Sequence, residues 1–267
     1  MNENTNATEQ RVPDGLADAG RRSFLGSAAG IGAAAVAPGV VLHTVANAAP
    51  RTTPVDDSHR WGMLVDTAKC AEGCSACVDA CEVENGLDLQ DMPEDADPIK
   101  WENQRATWIR KVKLQDNQSG RVTNLPLMCQ HCEHPPCVDV CPTGASFKRA
   151  DGIVMVDRHI CIGCRYCMMA CPYKARSFIH EVVERKLTRA PRGKGCVESC
   201  NLCAHRLDDG EISTACADAC AAEGHQAIIF GDLKDPNGPL RKALGETSNR
   251  QIRQDLGLNT GVRYANL

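Results

Sequence analysis

Two stretches of the chain predict β-hairpins, the first from alternating apolar and polar residues and the second from a turn pair between apolar runs. Residues 107–114 alternate as a strand does, residues 116–120 are turn formers, and residues 121–123 return. In the second stretch, residues 146–148 and 153–156 flank Asp151-Gly152, a pair that favours a tight turn. No run of 18 or more apolar residues follows the N-terminal region, so no membrane-spanning helix is predicted there.

The N-terminal region predicts an export signal. Residues 1–20 are polar, and Arg21-Arg22 then precede a mildly apolar stretch of Ala, Gly and Val, residues 27–45. The stretch ends in Ala46-Asn47-Ala48, a small-residue cleavage pattern. This order is that of a bacterial twin-arginine signal, residues 1–48, and predicts export to the periplasm. The alternative is a surface arginine pair before a buried alanine-rich helix, and cleavage or retention of the signal is left open.

Cysteine is abundant in the chain, and aromatic residues are scarce. The 267 residues include 17 Cys but only 4 Phe, 3 Trp and 3 Tyr. Disulfides or metal clusters must therefore supply much of the stability that apolar burial usually provides. With 24% charged residues and a net charge of −4, the composition suggests neither nucleic-acid binding nor disorder. The twin-arginine route carries folded proteins, so it favours a cofactor assembled in the cytoplasm over periplasmic disulfides.

Sixteen of the cysteines fall into four groups, and one stands apart. Group I is Cys70, Cys74, Cys77 and Cys81; group II is Cys129, Cys132, Cys137 and Cys141; group III is Cys161, Cys164, Cys167 and Cys171; group IV is Cys200, Cys203, Cys216 and Cys220. The remaining cysteine is Cys196.

Group III has the spacing C-x2-C-x2-C-x3-C-P of bacterial ferredoxins. One tight loop supplies three thiolates to a [4Fe–4S] cluster, and the fourth cysteine reaches a different cluster. We expect that fourth cysteine to begin a helix, with Pro172 in its first turn. Group II follows the same pattern with a longer second spacer, which Pro135-Pro136 stiffens.

Groups I and IV match the ferredoxin pattern less closely. Glu82 and Ala221 stand where proline is expected, and group IV has twelve residues between its two cysteine pairs. Either group alone could be a zinc site, because C-x2-C pairs also bind zinc. Disulfides within groups II and III are disfavoured, since cysteines two residues apart in a tight loop do not reach good disulfide geometry.

Pairing of the groups predicts four [4Fe–4S] clusters. Groups II and III should share two of them, with ligands Cys129, Cys132, Cys137 and Cys171 for one and Cys161, Cys164, Cys167 and Cys141 for the other. Groups I and IV should share two more, with ligands Cys70, Cys74, Cys77 and Cys220 for one and Cys200, Cys203, Cys216 and Cys81 for the other. The hairpin between groups I and II is expected to cover a cluster or to face a partner.

The predicted fold is α+β, with two intertwined two-cluster ferredoxin-like units. The outer unit takes residues 49–128 and 196–236 and encloses the inner unit, residues 129–195. Residues 237–267 are a C-terminal extension.

These motifs resemble the four-cluster iron–sulfur subunits that accompany molybdopterin oxidoreductases and quinone-handling membrane subunits. The resemblance runs from about Trp61 to Pro236, and the pairing of groups I and IV rests partly on it. Residues 61–81 and 141–178 are most similar to the branch of the family that serves the membrane complex linked to dissimilatory sulfite reductase. The resemblance implies three kinds of partner: a quinone-reactive integral membrane subunit, a periplasmic multihaem cytochrome c and further subunits of a membrane complex. Through these partners the protein would be bound to the periplasmic face of the inner membrane; its composition predicts no nucleic-acid partner.

The predicted function is electron relay in sulfur-compound respiration or oxidation, without a substrate site of its own. No nucleophile–base pattern and no nucleotide-binding glycine pattern is present in the sequence. One alternative is the electron-transfer subunit of a periplasmic molybdopterin oxidoreductase of the tetrathionate or polysulfide type. Another is a zinc- or disulfide-stabilised interaction module.

Several residues near the cysteines have two interpretations. His131, His134 and His205 are expected to be hydrogen-bonding neighbours that tune potential, not ligands. Lys174, Arg176 and Arg206 are either solvated or offset cluster charge, and the sequence does not decide between these.

Cys196 also has two interpretations. Cys196, Cys200 and Cys203 repeat the spacing of Cys70, Cys74 and Cys77, so Cys196 could be a ligand and Cys216 the spare. We expect Cys196 to lie outside the clusters, because sixteen other thiolates complete them and residues 191–195 before it predict a flexible basic segment.

Overall fold

The computed structural model describes residues 54–187 and 189–267; the predicted export signal, residues 1–48, lies outside them. In chain order the strands are β1 Trp61–Asp66, β2 Arg110–Gln115, β3 Val122–Leu127, β4 Ser146–Lys148, β5 Val154–Val156, β6 Ser177–Phe178, β7 Val197–Glu198, β8 Ile228–Asp232, β9 Asn249–Arg250 and β10 Val262–Ala265. The α-helices are α1 Ala76–Asn85, α2 Pro98–Gln104, α3 Pro136–Asp139, α4 Tyr166–Ala170, α5 Ala204–Asp208, α6 Ala215–Ala222 and α7 Pro239–Glu246, and Gln254–Leu256 form a 3-10 turn.

A four-stranded sheet in the order β8-β1-β10-β9 joins distant parts of the chain. β1 pairs antiparallel with β8 and parallel with β10. Met63 and Val65 of β1 are fully buried, and so is Tyr264 of β10. Leu240 of α7 packs against the opposite face of the sheet. The sheet is therefore held by apolar burial on both faces, although the chain has few aromatic residues.

Residues 237–267 belong to this sheet and also support the group II loop. They contribute α7, β9 and β10. The amide of Gly261 donates to the Gln130 carbonyl at 2.8 Å, and the amide of Glu133 donates to the Leu258 carbonyl at 3.0 Å. The segment that the sequence presents as an extension thus fixes the backbone on both sides of Cys132.

Both predicted hairpins are confirmed. β2 and β3 pair antiparallel from Arg110↔Leu127 to Gln115↔Val122, so the first strand begins three residues later than its alternation predicted. β4 and β5 pair with Ser146 opposite Val156, around the Asp151-Gly152 turn.

The prediction that a helix begins at the fourth cysteine of group III is wrong. α4 ends at Ala170, Cys171 is extended, and Pro172 lies in a turn. Proline disfavours the helical conformation of the residue before it, so Pro172 ends a helix at Cys171 instead of starting one.

Groups I and IV have no proline after their last cysteine, and their helices continue past that cysteine. With Glu82 and Ala221 in place of proline, α1 runs through Cys81 to Asn85 and α6 runs through Cys220 to Ala222. The helices pack in pairs, α1 against α6 and α3 against α4. Each pair joins the two groups that the sequence pairs. Within the described residues, no helix has the length and apolar character needed to cross a membrane.

Candidate functional site

Sixteen thiols lie in four sets, which we call sites A to D. Three sets line cavities: site A is Cys70, Cys74, Cys77 and Cys220; site C is Cys129, Cys132, Cys137 and Cys171; site D is Cys141, Cys161, Cys164 and Cys167. The structure thus brings the fourth cysteine of groups II, III and IV to the partner group.

Site B is Cys81, Cys200, Cys203 and Cys216, which lie close enough to perturb one another. Burial above all, and then the neighbouring thiols of Cys216 and Cys203, raise the pKa of Cys81. Burial and the thiols of Cys81 and Cys216 raise the pKa of Cys200. Burial raises the pKa of Cys216 to about 12, and the nearby Cys203 thiol adds to the increase.

The four sites differ in exposure. All four thiols of site B and all four of site C are buried. Cys70 and Cys74 of site A are half-buried, as are Cys141 and Cys161 of site D, and Cys164 of site D is exposed. Sites B and C are therefore sealed from solvent, and sites A and D reach the surface.

The residue before the second cysteine is left-handed in every group. Its φ is 75° at Gly73, 44° at His131, 69° at Gly163 and 51° at Leu202. This conformation is uncommon for residues other than glycine and often marks a functional loop. The repetition shows that the four groups share one loop geometry despite their different spacers.

Hydrogen-bond donors point at the cysteine sulfurs. The amide of Ser146 donates to Cys141 Sγ at 3.3 Å, and the amide of Ala227 donates to Cys220 Sγ at 3.2 Å. Arg176 Nη2 donates to Cys137 Sγ at 3.1 Å. Such donors stabilise thiolates, the form in which cysteine binds metal.

The sites follow one another in the order A, B, C, D. Helix α1 carries Cys77 of site A and Cys81 of site B, four residues and about 6 Å apart along the axis. Cys200 of site B and Cys129 of site C are close enough for each to act on the pKa of buried Tyr264. The charge of Arg176 acts on the pKa of the Cys137 thiol of site C and on that of the Cys167 thiol of site D, so these two sites are also neighbours.

The three cations that the sequence singled out have different surroundings. Lys174 is exposed. Arg206 is paired with Glu84 and with Asp218, the latter at 2.9 Å. Arg176 is buried and contacts thiols. Sequence reasoning missed a fourth cation, Lys111 of β2, which donates to the Ala71 and Cys74 carbonyls and lines site A.

The first hairpin therefore covers a site, one of the two roles expected for it. Besides Lys111, Pro126 of β3 lines the site A cavity. Asn124 of β3 lies 3.5 Å from the Cys70 carbonyl.

The histidines lie as neighbours of the thiol sites. The Val154 amide donates to His131 Nδ1 at 3.1 Å, so the neutral ring carries its proton on Nε2. Burial lowers the pKa of His131 to about 3, which keeps the ring neutral. His134 is exposed, and His205 bonds to Glu84 through Nε2.

Cys196 lies beside site D and apart from the thiols of group IV. Its Sγ donates to the Arg158 carbonyl at 3.3 Å, and the Cys161 thiol is near enough to raise its pKa, after burial. A Cβ on Gly163 would meet the Gly195 carbonyl at 2.2 Å, so the two loops touch.

The expected flexibility of residues 191–195 is wrong. Arg192 is only 2% exposed, and its Nε donates to Glu198, also buried, at 3.0 Å. This buried ion pair fixes the segment that leads to Cys196.

The donor sets fit polynuclear iron–sulfur clusters. Each cavity is lined by four thiols, the ligand type and number of a [4Fe–4S] cluster. In the described part of the chain, which contains all seventeen cysteines, none forms a disulfide and no group of three or more ligating side chains is arranged for a single metal ion. Nε and Nη1 of buried Arg176 have no hydrogen-bond partner among the described residues, and the nearby charges that favour its cationic form are cysteine thiolates, as expected for a residue that offsets cluster charge.

Comparison with known proteins gives the same result. Two models described as 4Fe-4S dicluster domains match residues 69–145 and 121–232. The Hdr-like menaquinol oxidoreductase iron-sulfur subunit 1 of Archaeoglobus fulgidus is 39% identical over 239 residues, covering 80% of this chain and 86% of the relative. The chain belongs to the 4Fe-4S dicluster family of electron-transfer subunits.

Two bacterial members of this family are also similar. A tetrathionate reductase subunit of Salmonella typhimurium is 35% identical over 213 residues, with 78% of this chain and 73% of the relative covered. Protein NrfC of Escherichia coli is 35% identical over 239 residues, with 89% and 91% covered. As a member of the dicluster family, the chain carries four [4Fe–4S] clusters, and the zinc or disulfide alternative is wrong.

Glu84 links cysteine groups I and IV of this dicluster protein. At the end of α1 it accepts hydrogen bonds from Arg206 and, at 2.6 Å, from His205 Nε2, both on α5. The hydrogen bond from Arg206 above all lowers the pKa of Glu84 to about 2. Because the folded pKa lies below the ordinary value of 4.5, the carboxylate stabilises the fold above about pH 4.5 and loses this effect as the pH falls toward 2.

We therefore expect Glu84→Gln to destabilise the protein by about 1–2 kcal/mol at neutral pH. The measurement is the guanidinium concentration at which cluster absorption is lost. Since Glu84 is ionised in folded and unfolded chains alike in this range, the loss should be the same from about pH 7.5 to pH 9. Glu72→Gln is the matched control, since Glu72 and its partner Lys113 are both exposed. An equal effect of both substitutions would contradict the role of Glu84.

Proposed function

We propose that the protein relays electrons in the periplasm between a quinone-reactive membrane subunit and a periplasmic redox partner such as a multihaem cytochrome c. The ligands would be the sixteen thiols of sites A to D. The observation that carries the proposal is the order and exposure of these sites: A and D at the surface, B and C sealed between them. When bound, each cluster accepts and returns one electron.

The chain's own residues have three tasks in such a relay. Helices α1 and α6 each hold a ligand of site A and a ligand of site B about one helical turn apart, which keeps the transfer between these two sites short. Burial of the inner thiols keeps water and oxidants from sites B and C. Amide and guanidinium donors to the sulfurs set the potentials.

Site D is the end that suits an apolar partner. The side chains around its ligand loop are exposed and apolar: Ile160 (49%), Ile162 (67%), Tyr166 (53%) and Met169 (67%). Residues 158–174 contain no Asp or Glu, whereas Arg165 and Lys174 are exposed. An apolar face fringed by cations complements a membrane subunit with an acidic or anionic lipid rim.

Site A is the end that suits a soluble partner. Glu72, Ser75 and Asp79 are exposed on its ligand loop and the first turn of α1, and Lys113 lies opposite Glu72 on the hairpin. A polar surface of mixed charge is typical of transient encounters between soluble redox proteins.

The test of this polarity is the double variant Ile162→Glu with Met169→Glu. We expect at least about a tenfold loss of reduction by quinol in membranes that contain the other subunits, since two buried charges at an interface cost several kcal/mol. Iron content and reduction by dithionite should not change. The measurement is the rate of cluster bleaching with each reductant.

Ile212→Glu provides the control, because Ile212 is 71% exposed and lies in the group IV insert, outside the site D ligand loop. If quinol still reduces the double variant as fast as this control, the membrane subunit docks elsewhere. Loss of reduction by dithionite as well would indicate damage to the clusters and not to docking.

The periplasmic location rests on the twin-arginine pattern at Arg21-Arg22 and the small residues before Ala49. The sulfur pathway rests on the similarity of residues 61–81 and 141–178 to the branch of the family that serves the sulfite-reductase-linked membrane complex. These two points support the proposal independently of each other.

A second candidate partner is a molybdopterin oxidoreductase. The similarity to the tetrathionate reductase subunit favours it, because the matched region covers 78% of this chain. The relay would be unchanged, and the enzyme would dock at site A. Purification of the intact complex separates the two candidates: a multihaem cytochrome gives haem absorption, and a molybdenum enzyme gives molybdenum by elemental analysis.

A further inference from the structure

Arg176 is a buried cation without a carboxylate partner. It is 5% exposed, and its Nη2 donates to Cys137 Sγ at 3.1 Å. Its Nε and Nη1 are buried and have no hydrogen-bond partner among the described residues. A guanidinium in such a place is costly unless negative charge surrounds it.

The negative charge near Arg176 comes from thiolates of two sites. The groups that favour its charged form are Cys137 and Cys129 of site C and Cys167 of site D. Its side chain also lines the site C cavity. Cys137, to which Arg176 donates, is on α3, and α3 packs against α4, which carries Cys167. The charge of Arg176 therefore acts on thiols of both sites.

The other cations near the cysteines do not share this environment. Lys174, two residues earlier in the same loop, is exposed, so solvent and salt screen its charge. The charge of Arg206 is balanced by Glu84 and Asp218. Lys111 acts at site A, through the loop of Cys74.

We propose that Arg176 is the shared counter-ion of the clusters at sites C and D, and that it raises both of their reduction potentials. The proposal rests on the ligand sets of the proposed function. Its physical basis is that reduction adds negative charge, which a buried cation in a medium of low dielectric constant stabilises. Arg176 is a positioning residue for two neighbouring steps of the relay, since one charge moves both potentials in the same direction.

The experiment compares three substitutions in the cluster-loaded protein. Arg176→Met removes the charge and keeps most of the volume, Arg176→Lys keeps the charge and removes the planar fork, and Lys174→Gln removes an exposed charge from the same loop. Iron and acid-labile sulfide are counted for each variant. The four potentials are then measured by redox titration followed by electron paramagnetic resonance.

We expect Arg176→Met to keep full iron and to shift two of the four reduction equilibria toward the oxidised form by about tenfold each, or about 59 mV for a one-electron couple. Lys174→Gln should shift none, and Arg176→Lys should shift the two by less than Arg176→Met does. Full iron with four unchanged potentials in Arg176→Met overturns the proposal. A shift of one potential only also overturns it, because the charge is then not shared.

If Arg176→Met loses iron, the Arg176→Lys variant shows whether the charge or the shape of the side chain is responsible. If Arg176→Lys keeps full iron, a cation is needed to hold the two clusters, which supports the proposal. If Arg176→Lys loses the same iron, the shape of the guanidinium and not its charge matters, and the proposal fails. Failure of the underlying ligand sets is distinct, since the unsubstituted protein would then lack four clusters.

Discussion

Cys216→Ser is expected to lose about four of sixteen iron atoms, while Cys196→Ser keeps all of them. Cys216 is buried in site B among Cys81 and Cys203, and a serine hydroxyl is a poor ligand for iron that thiolates hold. Cys196 lies beside site D, which already has four thiols. Because site B lies between sites A and C, Cys216→Ser should also abolish transfer from one end of the protein to the other.

The measurement is iron and acid-labile sulfide per chain, with transfer between quinol and the soluble partner as the second readout. The unsubstituted protein should contain about sixteen of each. A count near eight would retain sites C and D and contradict the assignment of sites A and B. Iron lost only on changing Cys196 would mean that the ligand set of group IV is misread.

Arg21→Lys together with Arg22→Lys is expected to leave the cluster-loaded precursor in the cytoplasm. The arginine pair is an address read by a receptor, and lysine keeps the charge without the guanidinium that such a receptor reads. Nearly all of the protein should then appear in the cytoplasmic fraction, with its brown colour intact.

The control for export is Arg11→Lys, a change of the same kind outside the pair. Fractionation followed by immunoblotting measures the distribution. Equal periplasmic amounts of the double variant and the control would refute the export interpretation.

The spacing of the cysteines predicted more of the candidate site than of the fold. The spacing fixes which thiols one loop can present, so groups II and III, and by extension I and IV, could be paired without coordinates. Alternation of apolar and polar residues found the β2–β3 hairpin, and the Asp151-Gly152 pair between apolar residues found the β4–β5 hairpin. The sheet escaped detection, since β9 and β10 have two and four residues and carry no periodic signal.

The position of Cys196 could not be predicted, because it depends on long-range pairing. β6 pairs with β7 through Ser177↔Glu198, which carries Cys196 to Cys161. Two-residue strands give no sequence signal, so the sequence predicted that Cys196 lies outside the clusters but not that it lies beside site D. The burial of Arg192 depends equally on Glu198, six residues away.

The prolines after Cys141 and Cys171 mark helix ends, which the sequence alone can predict. Cys141-Pro142 and Cys171-Pro172 both place the last cysteine of a group before a proline. The restriction that proline imposes on its predecessor predicts a helix end there. The same rule explains why α1 and α6, without these prolines, are the longer helices of the two pairs.

The parallel pairing of β1 with β10 has a consequence for the order of biosynthesis. Trp61–Asp66 leave the ribosome early, and their neighbours Val262–Ala265 leave it after every cysteine has been made. Gly261, which bonds to the loop of Cys132, is equally late. N-terminal segments usually fold first during synthesis, but here the sheet closes only after translation has passed the last ligand. All of the thiols are thus made before the fold can close around them. The interval between these two events is the time in which metal can be inserted.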